Sequence, residues 1–180
     1  MGQQALLVID VQRGLCEGPD AAFASGRVIE HINQLSQRAR EHGVPVVFVQ
    51  HEGRDGYLEH GSADWQLPDK LVCLESDLRV RKTTPDAFHG TPLAALLQAQ
   101  GVTALVVCGM HTEFCVDTTT RRAMALGFPV TLVSDAHTTA GNAHLTPQQV
   151  IDHHNATLSN ISSFGPRTTA VVTADVRFGE

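Results

Sequence analysis

Short uninterrupted apolar runs alternate along this chain with longer segments whose apolar residues recur at helical spacing. Residues 5–9 read ALLVI and stop at Asp10, the pattern of a strand covered on both faces. Runs at 45–49, 103–108, 130–134 and 169–173 repeat it, and a shorter strand is expected over 78–82, ending at Lys82. Between the first two runs Val28, Ile32, Leu35 and Ala39 recur every three or four positions, so a helix is predicted from its N-cap Ser25 to about His42, stopped by Gly43. Thr91 with Pro92 opens a second helix to Gln100, and Thr112 opens a third that Gly127 ends near residue 126. Thr146, followed by Pro147, caps a fourth to about Ser159. Residues 11–24, broken by Gly14, Gly18 and Pro19, read as loop, and from His51 to Leu78 no periodicity survives. Six apolar strands alternating with helices predict an α/β domain on a parallel sheet, and its first strand–helix–strand unit crosses over right-handed.

Composition narrows the partners rather than the fold. At 180 residues the chain fits one domain, 1–180, and can bury roughly 70% of its unfolded surface. A net charge of -6 argues against nucleic acid and against an anionic membrane surface, leaving small-molecule substrates. The opening MGQQALLVID lacks a basic segment followed by a long apolar stretch, and no run approaches the roughly 18 apolar residues of a membrane span, so a cytoplasmic location is expected. Cys16, Cys73, Cys108 and Cys115 form no CxxC pair and are expected as free thiols.

The candidate chemistry collects at one sheet edge. Asp10 follows the first strand, Lys82 ends the third, and Cys115 lies about three residues into the helix after the fourth, within the stretch ALVVCGMHTEFCVDTTTRR. In an open parallel sheet ligands bind at the carboxyl ends of the strands. A thiol at a helix N-terminus has its pKa lowered and sits beside backbone donors for an oxyanion. Asp10 would take the thiol proton, and Lys82 would stabilise the thiolate and hold Asp10 in place. Each residue has a plainer reading as well: Cys115 as a small buried hydrophobe, Asp10 as a turn closing a strand, Lys82 as a solvated strand end.

The motifs LLVIDVQ, VRKTTPDAF and GMHTEFCVDTT, in that order and spacing, resemble the isochorismatase-like cysteine hydrolases, the group that includes nicotinamidases. The resemblance covers residues 5 to about 154. It implies a three-layer sandwich, a six-stranded parallel sheet with helices on both faces, and a triad of Asp10, Lys82 and Cys115. It also implies a cis peptide between Met110 and His111, which aims the His111 N–H at an oxyanion beside that of Cys115. Retention of the cysteine favours C–N hydrolysis of an amide, carbamate or ureide over vinyl-ether cleavage.

Nicotinamidases carry an Asp-x-His and a later His as metal ligands after the second strand. The corresponding segment here, VQHEGRDGYLEH, keeps His51 and His60 but no matching Asp, so neither metal nor cofactor is expected. Trp65 and Phe88 are candidate walls of a substrate pocket, with loop anchoring and core packing as their alternatives, and specificity is expected from the loop 51–70. The resemblance implies a homo-oligomer of two or more copies. The alternative function is a ligand-binding or thiol-redox module on the same fold, with Cys115 as its sensor.

Overall fold

Strand β1 (Gln3–Ile9) occupies the middle of the sheet because its last five side chains are all apolar and have no polar face to turn to water. The computed structural model, which describes residues 3–179, pairs β1 on one side with β2 (Val46–His51) and on the other with β4 (Val102–Met110). With β3 (Leu78–Lys82), β5 (Val130–Thr138) and β6 (Thr168–Val171) the order is β3-β2-β1-β4-β5-β6, and every pairing is parallel. This is the six-stranded α/β sheet expected from the sequence.

The side chains of each strand divide between two cores. Leu6, Val8, Phe48, Val106 and Cys108 pack under helix α2 (Ser25–Glu41), whose Val28, Ile32, Leu35 and Ala39 supply the apolar stripe. Leu7, Ile9, Val49, Leu105, Val107 and Leu132 pack on the other face against α3 (Leu93–Ala99), α4 (Asp117–Ala125) and α5 (Pro147–Asn160). A short α1 (Arg13–Cys16) interrupts the loop expected after β1, where Leu15 and Cys16 are buried. Burying a Leu or Ile of this kind contributes about 1.5–3 kcal/mol, so β1 alone anchors both layers. Among the described residues no helix is long and apolar enough to cross a membrane.

Three caps differ from the expected ones. Ala24, in left-handed conformation, precedes α2, and Ser25 instead donates its hydroxyl to the Cys16 carbonyl at 2.9 Å, tying the helix to the preceding loop. Pro92 flanks α3, although the Thr91 hydroxyl still accepts the Leu93 N–H at 3.3 Å. Thr112 caps nothing; it begins a π-helical turn, Thr112–Val116, from which α4 continues. The cap at Thr146 is as expected, with a reciprocal Thr146–Gln149 capping box.

Strand order reverses at the β1/β4 seam, opening a crevice beyond their carboxyl ends. The seam is tight at Gly109. Its φ is +116°, and a Cβ there would fall 2.1 Å from the Ile9 carbonyl oxygen, so only glycine lets β4 lie this close to β1.

Candidate active site

Asp10 is the first residue beyond β1 and turns the chain away from the sheet with φ +51°, a conformation that Asp tolerates better than most residues. Its N–H donates to the Val49 carbonyl at 2.8 Å, which fixes the carboxylate over the end of β2. Lys82 ends β3, two strands away, and reaches back with its ammonium: Nζ lies 2.6 Å from Asp10 Oδ2, 3.2 Å from Cys115 Sγ and 3.3 Å from His51 Nδ1. An ammonium has three donors, and all three are engaged here. The Lys82 and Asp10 side chains are 0% and 1% exposed. Asp10 Oδ1 is left without a hydrogen-bond partner among the described residues.

The three residues expected at the edge are therefore neighbours, and His51 joins them. His51 and Lys82 are register partners across β2 and β3, so the sheet itself sets their approach. Burial, then the Lys82 charge, holds the imidazole below its ordinary pKa, and its Nδ1 accepts from the ammonium. Burial also pushes Lys82 down, but Asp10 and the Cys115 sulfur outweigh it and keep the ammonium charged.

Cys115 behaves differently from the helix-start thiol expected from sequence. It sits in the π turn with most of its surface covered, and burial followed by the Asp10 charge pushes it up to about 12, with Lys82 pulling the other way. The resting side chain is a thiol beside a carboxylate. Desolvation is the effect that periodicity does not reveal.

Among the described residues, Asp10, His51 and Cys115 are the one group of potential metal donors, with ligand atoms within 4.8 Å of one another. Those atoms all face Lys82 Nζ, so a fixed ammonium already supplies the positive charge at their centre. The donor set does not fit a metal ion. His60 is directed elsewhere, edge-on to Trp65 at 4.7 Å between ring centroids.

A cavity of about 170 Å³ opens over the thiol, roughly five or six water volumes, lined by Leu15, Leu58, Pro85, Tyr57, Phe114 and His111 beside Asp10, His51 and Cys115. Neither expected wall belongs to it. Trp65 lines a larger cavity of about 490 Å³, among Gln50 of β2 and Arg79, Arg81 and Lys82 of β3. Phe88 is buried in the α3/α4 core, stacked on Phe128 at 6.2 Å, because its neighbours Ala87 and Leu93 face inward with it. The walls of the smaller cavity come instead from Tyr57, in the aperiodic loop, and Phe114, one residue before the thiol.

Two supports escaped the sequence reading. Gln12 is fully buried; its amide donates to the carbonyls of His51 (3.0 Å) and Trp65 (3.1 Å) and accepts the His51 N–H at 2.8 Å, binding the loop to the end of β2. The signal was its place two residues after Asp10 in LLVIDVQ. Thr112, at the start of the π turn, bonds His137 Nδ1 at 2.9 Å, and His137 Nε2 meets the Asn155 carboxamide oxygen at 2.9 Å. That oxygen can only accept, so His137 carries its proton on Nε2 and Thr112 donates to Nδ1. The turn bearing Cys115 is thereby tied to β5 and α5. The peptide between Met110 and His111 is cis, as the resemblance implied.

Residues 4–174 match the family model of the Isochorismatase domain. A streptothricin hydrolase of Streptomyces noursei is 42% identical over 137 residues, covering 76% of this chain and 50% of that protein. The chain thus spans about half the length of that relative. A ureidoacrylate amidohydrolase of Klebsiella pneumoniae is 27% identical over 200 residues, covering 90% of this chain and 81% of its own length. A crystal structure of an isochorismatase family protein superposes with a TM-score of 0.84 at 39% identity, covering 93% of this chain and 97% of that one.

Proposed function

This chain belongs to the isochorismatase-domain family, and from that premise we propose that it is a cysteine-dependent hydrolase of a small amide, carbamate or ureide C–N bond. The observation that carries the reading is the ammonium of Lys82 set 2.6 Å from Asp10 Oδ2 and 3.2 Å from Cys115 Sγ, with Asp10 Oδ1 left open to receive a proton.

With substrate bound, the Cys115 S–H proton passes to Asp10 Oδ1 as Sγ bonds to the carbonyl carbon, and the carbonyl π pair moves to oxygen. The backbone N–H groups of His111 and Cys115 receive that oxyanion. Collapse breaks the C–N bond; the nitrogen leaves with the proton from Asp10, as ammonia or an amine, and a thioester remains on Cys115. Water then adds to the thioester with Asp10 as base, and the acid departs as the thiol re-forms. Lys82 stays charged throughout and balances the thiolate as it develops. The thiol pKa of about 12 fits this sequence, since proton and nucleophile move together and no standing thiolate is needed.

The test is ammonia release from a panel of small amides and ureides, with the acyl-enzyme trapped by acid quench and located on Cys115 by peptide mass. Absence of both would defeat the proposal.

A further inference from the structure

A cation is what the lining of the cavity over Cys115 lacks. Of its lining residues none is a lysine or arginine, and the one ammonium behind it has all three donors committed to Asp10, Cys115 and His51. A substrate carboxylate entering here would be stripped of water, find no cation, and lie against the free Oδ1 of Asp10. The cavity offers instead two aromatic rings that stand more than half exposed, Tyr57 at 57% and Phe114 at 56%, together with Leu15, Leu58 and Pro85. Its one further unsatisfied polar atom is His111 Nε2, buried and without a partner among the described residues.

Resting on the hydrolase reading, we infer that the substrate is a small amide bearing no carboxylate, with its apolar part between Tyr57 and Phe114 and a polar group hydrogen-bonded by the His111 side chain. His111 thereby has two roles: its backbone serves the oxyanion, and its imidazole reads the substrate. Burial holds that imidazole below its ordinary pKa, although Glu113 and Asp10 pull the other way. It therefore meets a ligand uncharged, able to donate or accept one hydrogen bond but unable to pair with an anion. The other elements over the cavity contribute Asp10 and His51, neither of which welcomes negative charge.

Iodoacetamide and iodoacetate test this directly, because the two reagents differ only in carrying a neutral amide or a carboxylate. Both are reacted at pH 7.5 with the intact protein and with glutathione, and labelling of Cys115 is read by peptide mapping. The inference expects the amide-to-acid rate ratio at Cys115 to exceed the glutathione ratio at least tenfold; an equal or smaller ratio overturns it. In His111→Leu the excess should fall at least threefold, and in His111→Gln, which keeps a hydrogen-bonding group, it should return. Full preference in His111→Leu removes the imidazole from recognition. Ammonia release is scored separately: selective labelling without release from any amide keeps the recognition and defeats hydrolysis, whereas release without selective labelling does the reverse.

Discussion

Asp10 and Lys82 lie 72 positions apart in the chain and meet as an ion pair at 2.6 Å with essentially no access to water. Removing one member strands the other charge in the interior, which costs about 3–5 kcal/mol, whereas removing both leaves no orphan. Lys82→Met and Asp10→Asn are each expected to lower stability by that order, and the double variant to recover part of the loss. Urea unfolding of the four proteins checks it; additive losses would mean that the pair is not coupled.

Cys115→Ala should abolish turnover in a protein that still folds, since the side chain is small and Lys82 keeps its ion pair with Asp10. Asp10→Asn, measured under conditions where it is folded, should lower kcat by roughly 10² to 10⁴, the usual range for a general base. Turnover surviving in Cys115→Ala would eliminate the covalent route.

The accessible thiols are expected to number two. Cys16 and Cys108 are 6% and 0% exposed, and burial raises both, Cys16 to about 12, so neither should alkylate in the folded protein. Cys73 is partly exposed, with Arg79 Nη2 3.3 Å from its sulfur. Cys115 depends on proton transfer to Asp10, so its labelling near neutral pH should slow sharply in Asp10→Asn while labelling of Cys73 does not. Peptide mapping after limiting iodoacetamide separates these outcomes.

Several of these features were legible in the sequence because they are local. The strand over 78–82 has the limits that its sequence predicts, and Thr146 followed by Pro147 marks the start of α5. Other features depend on register and burial. His51 opens the aperiodic stretch of the sequence, and its partner, Lys82, is reached only through the pairing of β2 with β3. Trp65 and Phe88 were plausible pocket walls by type, and only tertiary packing shows one on another cavity and the other in the core. The π turn defeats helical counting, because one extra residue per turn shifts every later position around the axis.

Acid should weaken the fold through His137. It is buried, and desolvation lowers its pKa from 6.5 to about 4. Between those values the unfolded chain holds a proton that the native chain refuses, so stability falls as pH drops through that window and the loss is complete below it. About 2.5 pH units at about 1.4 kcal/mol each gives a loss of about 3 kcal/mol. His51 and His111, also lowered, act in the same direction. Urea unfolding between pH 7 and 4 should show a flatter pH dependence in His137→Gln than in the parent.

Turnover should be unchanged after exhaustive treatment with EDTA or 1,10-phenanthroline, because the Asp10, His51 and Cys115 donors are spoken for by Lys82. Loss of activity on chelation, restored by a stoichiometric divalent ion, would refute that assignment.

The strand order β3-β2-β1-β4-β5-β6 also divides the candidate site into an earlier and a later half of the sequence. The segment up to residue 82 holds Asp10, His51 and Lys82, which meet at the buried ammonium, whereas Cys115 comes later. The thiol belongs to the later half-sheet and reaches its base only when β4 closes against β1, where Gly109 lets the two backbones meet. The candidate triad is therefore completed only across the β1/β4 seam, where an earlier segment carrying the buried ion pair meets a later one carrying the thiol.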